Sequence, residues 1–263
     1  MRPGDGVAWI TGASGGIGRA LSLELARRGW TVFATARSAE ALARLAAEAD
    51  GLCKDGLGGS VRPMPGDVTD PAAMKAVVAD IIAERPLALA VLNAGIYTPM
   101  RAQAFDASAA RRMFEVNLGG VANALEPVLQ AQIAQGRGHV ALTASVAGYR
   151  GLPRAAGYSA TKAGLIAMGE ALAMDLLDLG VRISVINPGF VETEATAVND
   201  FEMPFLIPAT QAARRIADGL GRPGFEIAFP RRFALILRLV GMLPNRAYFW
   251  AVRKALGWEK MEP

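Results

Sequence analysis

Short, uninterrupted runs of apolar residues alternate with longer stretches of helical periodicity along the first 190 residues of the chain. Since the apolar runs show no polar alternation, they indicate parallel strands that are buried on both faces of a sheet. Repeated strand–helix units with right-handed crossovers predict an α/β fold, a doubly wound parallel sheet of about seven strands with helices on both faces. The predicted strands are Val7–Thr11, Thr31–Ala36, Val61–Met64, Ala88–Asn93, His139–Thr143, Val181–Asn187 and Phe225–Phe229, and the predicted helices cover 16–28, 39–49, 70–84, 105–135, 157–179 and 209–220.

We expect residues 1–263 to form one domain, because α/β folds of about 250 residues are common and no linker or repeat interrupts the pattern. Residues 51–60 are interpreted as a glycine-rich surface loop, and 231–260 as a C-terminal helical extension with a turn at Pro244 and Asn245. Residues 190–220 are interpreted as a substrate-lid region, whose irregular part contains the apolar residues Phe201, Met203, Phe205, Leu206 and Ile207.

Composition excludes several kinds of site. Cys53 is the only cysteine and His139 the only histidine, so an internal disulfide, a zinc cluster of cysteines and a two-histidine metal site are all excluded. We expect no metal, and we interpret His139, which begins a strand without an acid nearby in sequence, as structural. The chain shows neither a signal-peptide pattern nor an apolar stretch of about 18 residues, so we expect a cytoplasmic protein without an ordinary transmembrane helix.

The glycine-rich segment TGASGGIG, residues 11–18, joins the first predicted strand to the first predicted helix. Gly12 allows the sharp exit from the strand, Gly16 allows a pyrophosphate to approach the backbone, and Gly18 allows the helix to pack close to the sheet. The helix N-terminus then offers free N–H groups and a positive dipole end to phosphate. This context predicts a Rossmann-type dinucleotide site rather than a simple tight turn.

The end of the second predicted strand indicates which dinucleotide is preferred. A site that selects NAD usually has an acid about 20 residues beyond the glycines, and Ala36 occupies that position. Arg37 can pair with a 2′-phosphate, and Ser38 can add a hydrogen bond. Arg19 is a weaker candidate for the same phosphate. We therefore expect NADP(H) to be preferred and NAD(H) to be possible.

A second group of residues predicts proton chemistry. Tyr158 and Lys162 are four residues apart and share one helix face, where the ammonium favours the phenolate form of the tyrosine. Ser145 follows the strand His139–Thr143, at the sheet edge where ligands bind in open α/β sheets. A proton donor, a cation that tunes its pKa and a hydroxyl that holds a substrate oxygen are thereby predicted to converge.

These motifs, in this order and spacing, resemble the short-chain dehydrogenase/reductase family over roughly residues 5–225. The resemblance implies that Tyr158 is the general acid/base, that Ser145 orients the carbonyl or alcohol, that Lys162 binds the nicotinamide ribose and that Asn117 holds a proton-relay water. Leu92 stands where the family has a second asparagine, a mild departure. The cofactor-binding residues that the motifs and the resemblance imply are Thr11, Gly12, Ser14, Gly16, Ile17, Gly18, Arg37, Ser38, Asp67, Val68, Asn93, Ala94, Gly95, Tyr158, Lys162, Pro188, Gly189, Val191 and Thr193.

The C-terminal extension departs from the family's usual ending. Residues 231–260 carry seven basic residues and one acid, a net charge of +6, so the remainder of the chain, with a total of +4, carries −2. This distribution gives no support to nucleic-acid binding by the body. Apolar and aromatic bulk with Arg and Lys fits a helix pair at a membrane surface, a lid over a lipophilic substrate cleft, or a dimer contact. The extension includes Tyr248, Phe249, Trp250, Val252, Leu256 and Trp258.

The sequence thus predicts an oxidoreductase that moves a hydride between NADP(H) and the carbonyl or secondary alcohol carbon of a lipophilic small molecule. Two alternatives stay open, a reductase of carrier-bound or thioester 3-oxoacyl groups, and a non-catalytic NADP-binding protein with a membrane-associating tail. We also expect a homo-oligomer, a dimer or tetramer, with possible peripheral membrane contact through 231–260.

Overall fold

A computed structural model describes residues 1–52, 58–198 and 203–255 of the chain. Seven parallel strands form one sheet in the order β3-β2-β1-β4-β5-β6-β9, which confirms the predicted fold. The order reverses between β1 and β4, as expected for a doubly wound sheet. The strands are β1 (Val7–Thr11), β2 (Thr31–Thr35), β3 (Ser60–Pro63), β4 (Leu87–Leu92), β5 (Gly138–Thr143), β6 (Val181–Pro188) and β9 (Glu226–Phe229), and β7 (Val191–Glu192) pairs separately with β8 (Ile207–Pro208).

Helices cover both faces of the sheet. The helices are α1 (Gly16–Arg27), α2 (Ala39–Leu52), α3 (Pro71–Glu84), α4 (Ala107–Phe114), α5 (Gly120–Ala134), α6 (Ala156–Asp175), α7 (Glu194–Ala197), α8 (Ala209–Leu220), α9 (Arg231–Gly241) and α10 (Asn245–Ala255). Helices α1, α2 and α8 pack on one face, where Leu21, Leu42 and Ile216 are buried. Helices α3, α5 and α6 pack on the other face. The central strands are buried throughout, which explains their uninterrupted apolar runs.

Several boundaries differ from the prediction. The helix predicted at 105–135 is interrupted by a π-helical turn at Glu115–Gly119, whose Asn117 side chain is bonded to a neighbouring loop. The helix predicted to reach residue 179 ends at Asp175, and Gly180, at φ +69°, then turns the chain into β6. Helix α2 extends to Leu52, into the predicted loop at 51–60. The predictions that concern Cys53, Phe201, Leu256 and Trp258 lie outside the described residues.

The extension forms two helices, as predicted. Phe233 of α9 is buried against the rings of Phe190 and Phe205, 5.8 and 5.7 Å away. The Arg150 guanidinium donates to the carbonyl of Gly241, at the end of α9, and to that of Leu243, in the turn before α10, at 2.6 and 2.7 Å. Within the part of the chain that the structure covers, no helix is long and apolar enough to cross a membrane.

Candidate active site

A cavity of about 590 Å³ opens at the carboxyl ends of β1, β4, β5 and β6. It extends from Arg37 and Asp67 on one side to Ser145, Tyr158 and Lys162 on the other. Of the predicted site residues, all except Thr11, Gly18, Ser38 and Asn117 line this cavity; those that do are Gly12, Ser14, Gly16, Ile17, Arg37, Asp67, Val68, Asn93, Ala94, Gly95, Ser145, Tyr158, Lys162, Pro188, Gly189, Val191 and Thr193.

Close backbone packing shapes the glycine turn between β1 and α1. Gly12 adopts φ +68°, and a Cβ there would lie 2.7 Å from the Cα of Ala94. A Cβ at Gly18 would lie 2.2 Å from the Gly12 carbonyl oxygen, so only glycine lets the helix approach this closely. The Thr11 hydroxyl accepts from the backbone N–H groups of Asn93 and Ala94, at 2.9 and 3.1 Å. Thr11 and Gly18 therefore support the turn from behind rather than line the cavity.

Of the three residues predicted to bind the 2′-phosphate, only Arg37 lines the cavity. Arg37 is exposed and lines the cavity. Ser38 lies outside the cavity because its hydroxyl accepts from the backbone N–H of Ala41 at 3.1 Å, at the start of α2. Arg19 forms an ion pair with Glu48 of α2 and likewise lies outside the cavity.

Asp67 is held ionised beside Arg37. A hydrogen bond from the backbone N–H of Thr69 lowers the pKa of the Asp67 carboxyl, and the charges of Arg37 and Arg112 lower it further. Arg112 also lines the cavity, where it forms an ion pair with Glu115 at 3.3 Å. The sequence offered no signal for Arg112, because it lies on a helix that reaches the cavity only through the tertiary fold.

Ser145, Tyr158 and Lys162 converge at the other end of the cavity. The Ser145 hydroxyl donates to the Pro188 carbonyl at 3.4 Å and accepts from the backbone N–H of Ala147 at 3.1 Å, and its interaction with the Tyr158 hydroxyl acts to lower the pKa of that phenol. The Lys162 ammonium is buried, donates to the Thr143 carbonyl at 2.7 Å and lies 5.5 Å from the centre of the Tyr158 ring. The helical spacing of Tyr158 and Lys162 and the end of β5 thus bring three polar groups together.

Burial controls the protonation of this group. It raises the pKa of Tyr158 to about 12, while the interaction with Ser145 acts in the opposite direction. It lowers the pKa of Lys162 to about 8. The expectation that the ammonium makes the Tyr158 phenolate the favoured form is not met in this state, because desolvation outweighs the neighbouring groups.

Asn117 lies beneath the cavity wall in the π-helical turn. Its amide oxygen accepts from the backbone N–H of Ile96 at 2.8 Å, and its amide nitrogen donates to the Ile96 carbonyl at 2.9 Å and to the Thr161 hydroxyl at 3.1 Å. These bonds fix the loop after β4. The ring of Tyr97 in that loop makes an edge contact with the ring of Tyr158, with centroids 4.9 Å apart, a contact that nothing in the sequence indicated.

His139 lies at the other end of β5, away from the cavity. Its Nδ1 accepts from the Arg182 guanidinium at 2.9 Å, so its Nε2 carries the proton and donates to the Ser184 hydroxyl, also at 2.9 Å. Burial lowers the pKa of His139 well below its usual value, with Arg182 contributing further. The neutral imidazole joins β5 to β6, in line with the structural interpretation. Among the described residues, no group of three or more His, Cys, Asp or Glu side chains is arranged to hold a metal.

The doubly wound sheet, the glycine turn and the Ser–Tyr–Lys group define a dinucleotide-dependent oxidoreductase. The chain matches the short chain dehydrogenase family over residues 6–202 and belongs to it. It is accordingly an NAD(P)-dependent enzyme that acts on CH–OH and C=O groups of small molecules.

The relatives cover most of the chain. It is 39% identical to an uncharacterized oxidoreductase of Myxococcus xanthus (strain DK1622), over 94% of this chain and 96% of the relative. It is 32% identical to the 3-oxoacyl acyl-carrier-protein reductase of Escherichia coli (strain K12), over 79% of this chain and 83% of the relative. A solved short chain dehydrogenase from Burkholderia cenocepacia J2315 in complex with NADP superposes with a TM-score of 0.78 at 25% identity, covering all of both chains.

Proposed function

We propose that this enzyme transfers a hydride between NADP(H) and the carbonyl or secondary alcohol carbon of a lipophilic small molecule. One observation carries the proposal: a single cavity joins Arg37 and Asp67 to the Ser145, Tyr158 and Lys162 group. A dinucleotide is an extended molecule, and this cavity offers polar groups at both ends and a glycine turn between them. The NADP complex of the Burkholderia cenocepacia relative supports the choice of cofactor.

The residues at the catalytic end have different roles. When bound, the nicotinamide supplies or accepts the hydride. Tyr158 gives a proton to the substrate oxygen in the reductive direction and takes it back in the oxidative direction. Ser145 holds that oxygen through its hydroxyl, and the Lys162 ammonium stabilises the phenolate that Tyr158 becomes after proton donation. Asn117 is a positioning residue here, since its amide holds the Ile96 backbone and Thr161.

The remaining predicted residues hold the cofactor. In this proposal the glycine turn receives the pyrophosphate at the N-terminus of α1, and Arg37 pairs with the 2′-phosphate. Asp67 and Val68 contact the adenine end. The segments after β4 and β6 border the nicotinamide end, and they contribute Asn93, Ala94, Gly95, Pro188, Gly189, Val191 and Thr193 to the cavity wall.

Exchanging the cofactor-selecting residues is expected to reverse the cofactor preference. The double variant Arg37→Ala, Ala36→Asp removes the guanidinium for the 2′-phosphate and adds an acid for the ribose hydroxyls. Charge-assisted hydrogen bonds contribute roughly 1.5–3 kcal/mol, so kcat/KM with NADPH falls by about 10- to 100-fold relative to NADH. Steady-state kinetics with both cofactors measures the ratio.

Arg44→Ala is the matched control, because Arg44 is an exposed arginine of α2 that pairs with Glu40 away from the cavity. This variant should keep the wild-type ratio. A wild-type enzyme that already prefers NADH would contradict the assignment of Arg37.

The walls of the cavity and the segment beside it favour a lipophilic substrate. Ile96, Tyr97 and Val191 give the catalytic end apolar walls, and Phe205 and Leu206 expose apolar surface on the predicted lid segment. An NADPH-oxidation screen across steroids, retinoids, long-chain ketones and 3-oxoacyl thioesters tests this assignment. Preference for the thioesters would instead favour the activity of the Escherichia coli relative. Cofactor binding without turnover of any carbonyl would favour the non-catalytic alternative. We also propose that the enzyme is a homo-oligomer, which mass measurement in solution tests.

The helices α9 and α10 support a second proposal, peripheral contact with an anionic membrane surface. The two helices and the turn between them expose seven large apolar side chains, yet 231–255 contains no acid and six basic residues. Apolar bulk of this kind can enter the headgroup boundary while arginines meet anionic lipid. The exposed apolar residues are Leu235, Ile236, Leu239, Met242, Leu243, Phe249 and Trp250.

The full-length enzyme is expected to bind vesicles that contain anionic lipid at low salt and to leave them as salt is raised, since the attraction is screened over about 8 Å at physiological ionic strength. Charge reversal at Arg246, Arg253 and Lys254 should weaken binding at least about 10-fold, because each basic residue contributes on the order of 1 kcal/mol. Vesicle co-sedimentation measures the partition.

The control variant reverses the same number of charges elsewhere, at the exposed residues Lys75, Arg85 and Arg137. It should bind vesicles like the wild type, apart from a small effect of net charge. If the wild type ignores anionic vesicles at low salt, the extension is a lid or a subunit contact. A changed substrate KM in the first variant then identifies a lid, and a changed oligomer mass identifies a subunit contact.

A further inference from the structure

A second cavity, of about 580 Å³, lies beside the edge strand β9 and is separate from the cavity proposed for catalysis. Its walls come from α8, from the loop between α8 and β9, and from the start of α9. Phe205 also lines the cavity, and all its other lining residues lie between residues 215 and 232, a range that includes β9. The cavity therefore forms only when these elements pack together at the edge of the sheet.

Four arginines line this cavity: Arg215, Arg222, Arg231 and Arg232. In the described parts of the chain, none of their guanidinium groups forms a hydrogen bond or an ion pair. Arg215 is only partly exposed, and the other three are exposed. The cavity therefore holds four positive charges that the described protein does not neutralise.

The two acids of the cavity are already engaged by other cations. Asp218 forms an ion pair with Arg28 at 2.8 Å. Glu226 pairs with Arg238 and accepts hydrogen bonds from Tyr149 and Asn187. These contacts leave the four arginines as the unpaired charges of the site.

Unpaired like charges around one concavity repel each other, and an anion bound there would relieve the repulsion. The chemistry favours phosphate, because guanidinium groups bind phosphate oxygens in a planar, bidentate geometry that a lysine ammonium does not reproduce. All basic residues of the cavity wall are arginines.

We propose that this cavity binds a phosphate group, carried either by an anionic lipid headgroup or by a soluble phosphate ester. The lipid source agrees with the position of Arg231 and Arg232 at the start of α9, whose outer face is apolar, and with exposed Phe205 at the cavity wall. This inference does not rest on the catalytic proposal, since the two cavities share no residue.

The first arm of the test uses inorganic phosphate and pyrophosphate as probes on full-length protein saturated with NADPH, so that the cofactor cavity is occupied. Isothermal titration calorimetry at constant ionic strength should show binding that falls at least about 10-fold in two double variants, Arg215→Gln with Arg222→Gln, and Arg231→Gln with Arg232→Gln. Circular dichroism checks that each variant folds. The double variant Arg85→Gln with Arg214→Gln removes two exposed arginines outside the cavity and should bind like the wild type.

The second arm uses vesicles of phosphatidylcholine with or without phosphatidic acid. If binding to phosphatidic acid falls in the same two double variants, the source is a lipid headgroup. If the variants lose only the soluble probes, the source is a soluble phosphate ester. Equal binding of wild type and both double variants in both arms would overturn the proposal. A change in oligomer mass without any change in anion binding would overturn it as well, and would assign the arginines to a subunit contact.

The two proposals fail separately. If NADPH does not bind, the catalytic proposal fails, and a phosphate signal that persists in Arg37→Ala but disappears in the cavity variants still supports the second site. If NADPH binds and turns over a carbonyl while no arginine variant changes anion binding, only the phosphate site is lost.

Discussion

Replacing Tyr158 with phenylalanine is expected to lower kcat by at least about 100-fold, the usual scale for a general acid or base. The substitution removes the hydroxyl and keeps the ring, so the edge contact with Tyr97, at 4.9 Å between centroids, remains. It also removes the interaction of the Tyr158 hydroxyl with Ser145. Cofactor affinity should change little, because the ring still fills the same part of the cavity wall. Stopped-flow kinetics and a cofactor titration measure the two quantities separately.

Tyr97→Phe is the matched control, since Tyr97 is a second tyrosine that lines the same cavity. In the proposed mechanism its hydroxyl carries no proton to the substrate, so kcat should fall far less than in Tyr158→Phe. A Tyr158→Phe enzyme with near-normal turnover would remove Tyr158 from its proposed role. A large loss in both variants would point to the ring pair, rather than to one hydroxyl, as the feature that catalysis needs.

The predictable part of this molecule is the part encoded by local pattern. Buried strands appear as uninterrupted apolar runs, and the glycine turn follows directly from β1. The pairing of Tyr158 with Lys162 depends only on helical spacing, which is why the structure places both at one cavity. Even the two helices of the extension were predicted from the turn at Pro244 and Asn245 and the apolar stretches around it.

The unpredicted part depends on residues that are distant in sequence. The neighbouring sequence does not show whether an exposed arginine will face a ligand or an acid. Arg19, for example, pairs with Glu48, which lies 29 residues away. Ser38 caps α2 because the chain turns into a helix immediately after it. The pKa of Tyr158 was expected to be lowered by its cationic neighbour, yet burial raises it.

The extension shows the same limit. The sequence indicates its charge and apolar character but not its contacts with the body. Phe233 lies so close to Gly189 that a Cβ added at Gly189 would be 2.9 Å from the Phe233 ring. Since Gly189 lines the catalytic cavity, α9 is packed directly behind one wall of the site. The membrane and lid interpretations of the extension are therefore compatible, because a helix that contacts lipid on one face supports the cavity with the other.

Replacing Lys162 with methionine is expected to reduce activity and increase stability. Loss of the ammonium 5.5 Å from the Tyr158 ring removes on the order of 3 kcal/mol of stabilisation of the phenolate at an effective dielectric constant of about 20, which corresponds to roughly a 100-fold lower kcat. Methionine has a similar shape and no charge, so it fills the site without the cost of burying an ammonium.

The stability gain has a defined sign and pH range. Burial lowers the pKa of Lys162 from 10.5 to about 8, so between these values the unfolded chain binds more protons than the folded chain. The stability of the wild type therefore rises with pH across this range, and the full cost of the buried charge is present below about pH 8. At about 1.4 kcal/mol per pKa unit this cost is roughly 3 kcal/mol for a side chain that is only 3% exposed.

The variant also loses the hydrogen bond to the Thr143 carbonyl, which reduces this gain in stability by about 1 kcal/mol. Without cofactor, the variant should therefore be about 2 kcal/mol more stable than the wild type at pH 7. Because the wild-type lysine becomes neutral above its folded pKa, this advantage should shrink as the pH approaches 10. Urea unfolding at several pH values measures the difference, and Lys75→Met, at an exposed lysine of α3, should show no such trend. A Lys162→Met variant that is less stable than the wild type at pH 7 would mean that the contacts of the ammonium outweigh its burial. In that case the folded protein stabilises the Lys162 ammonium, and the charge used in catalysis does not lower the free energy of unfolding.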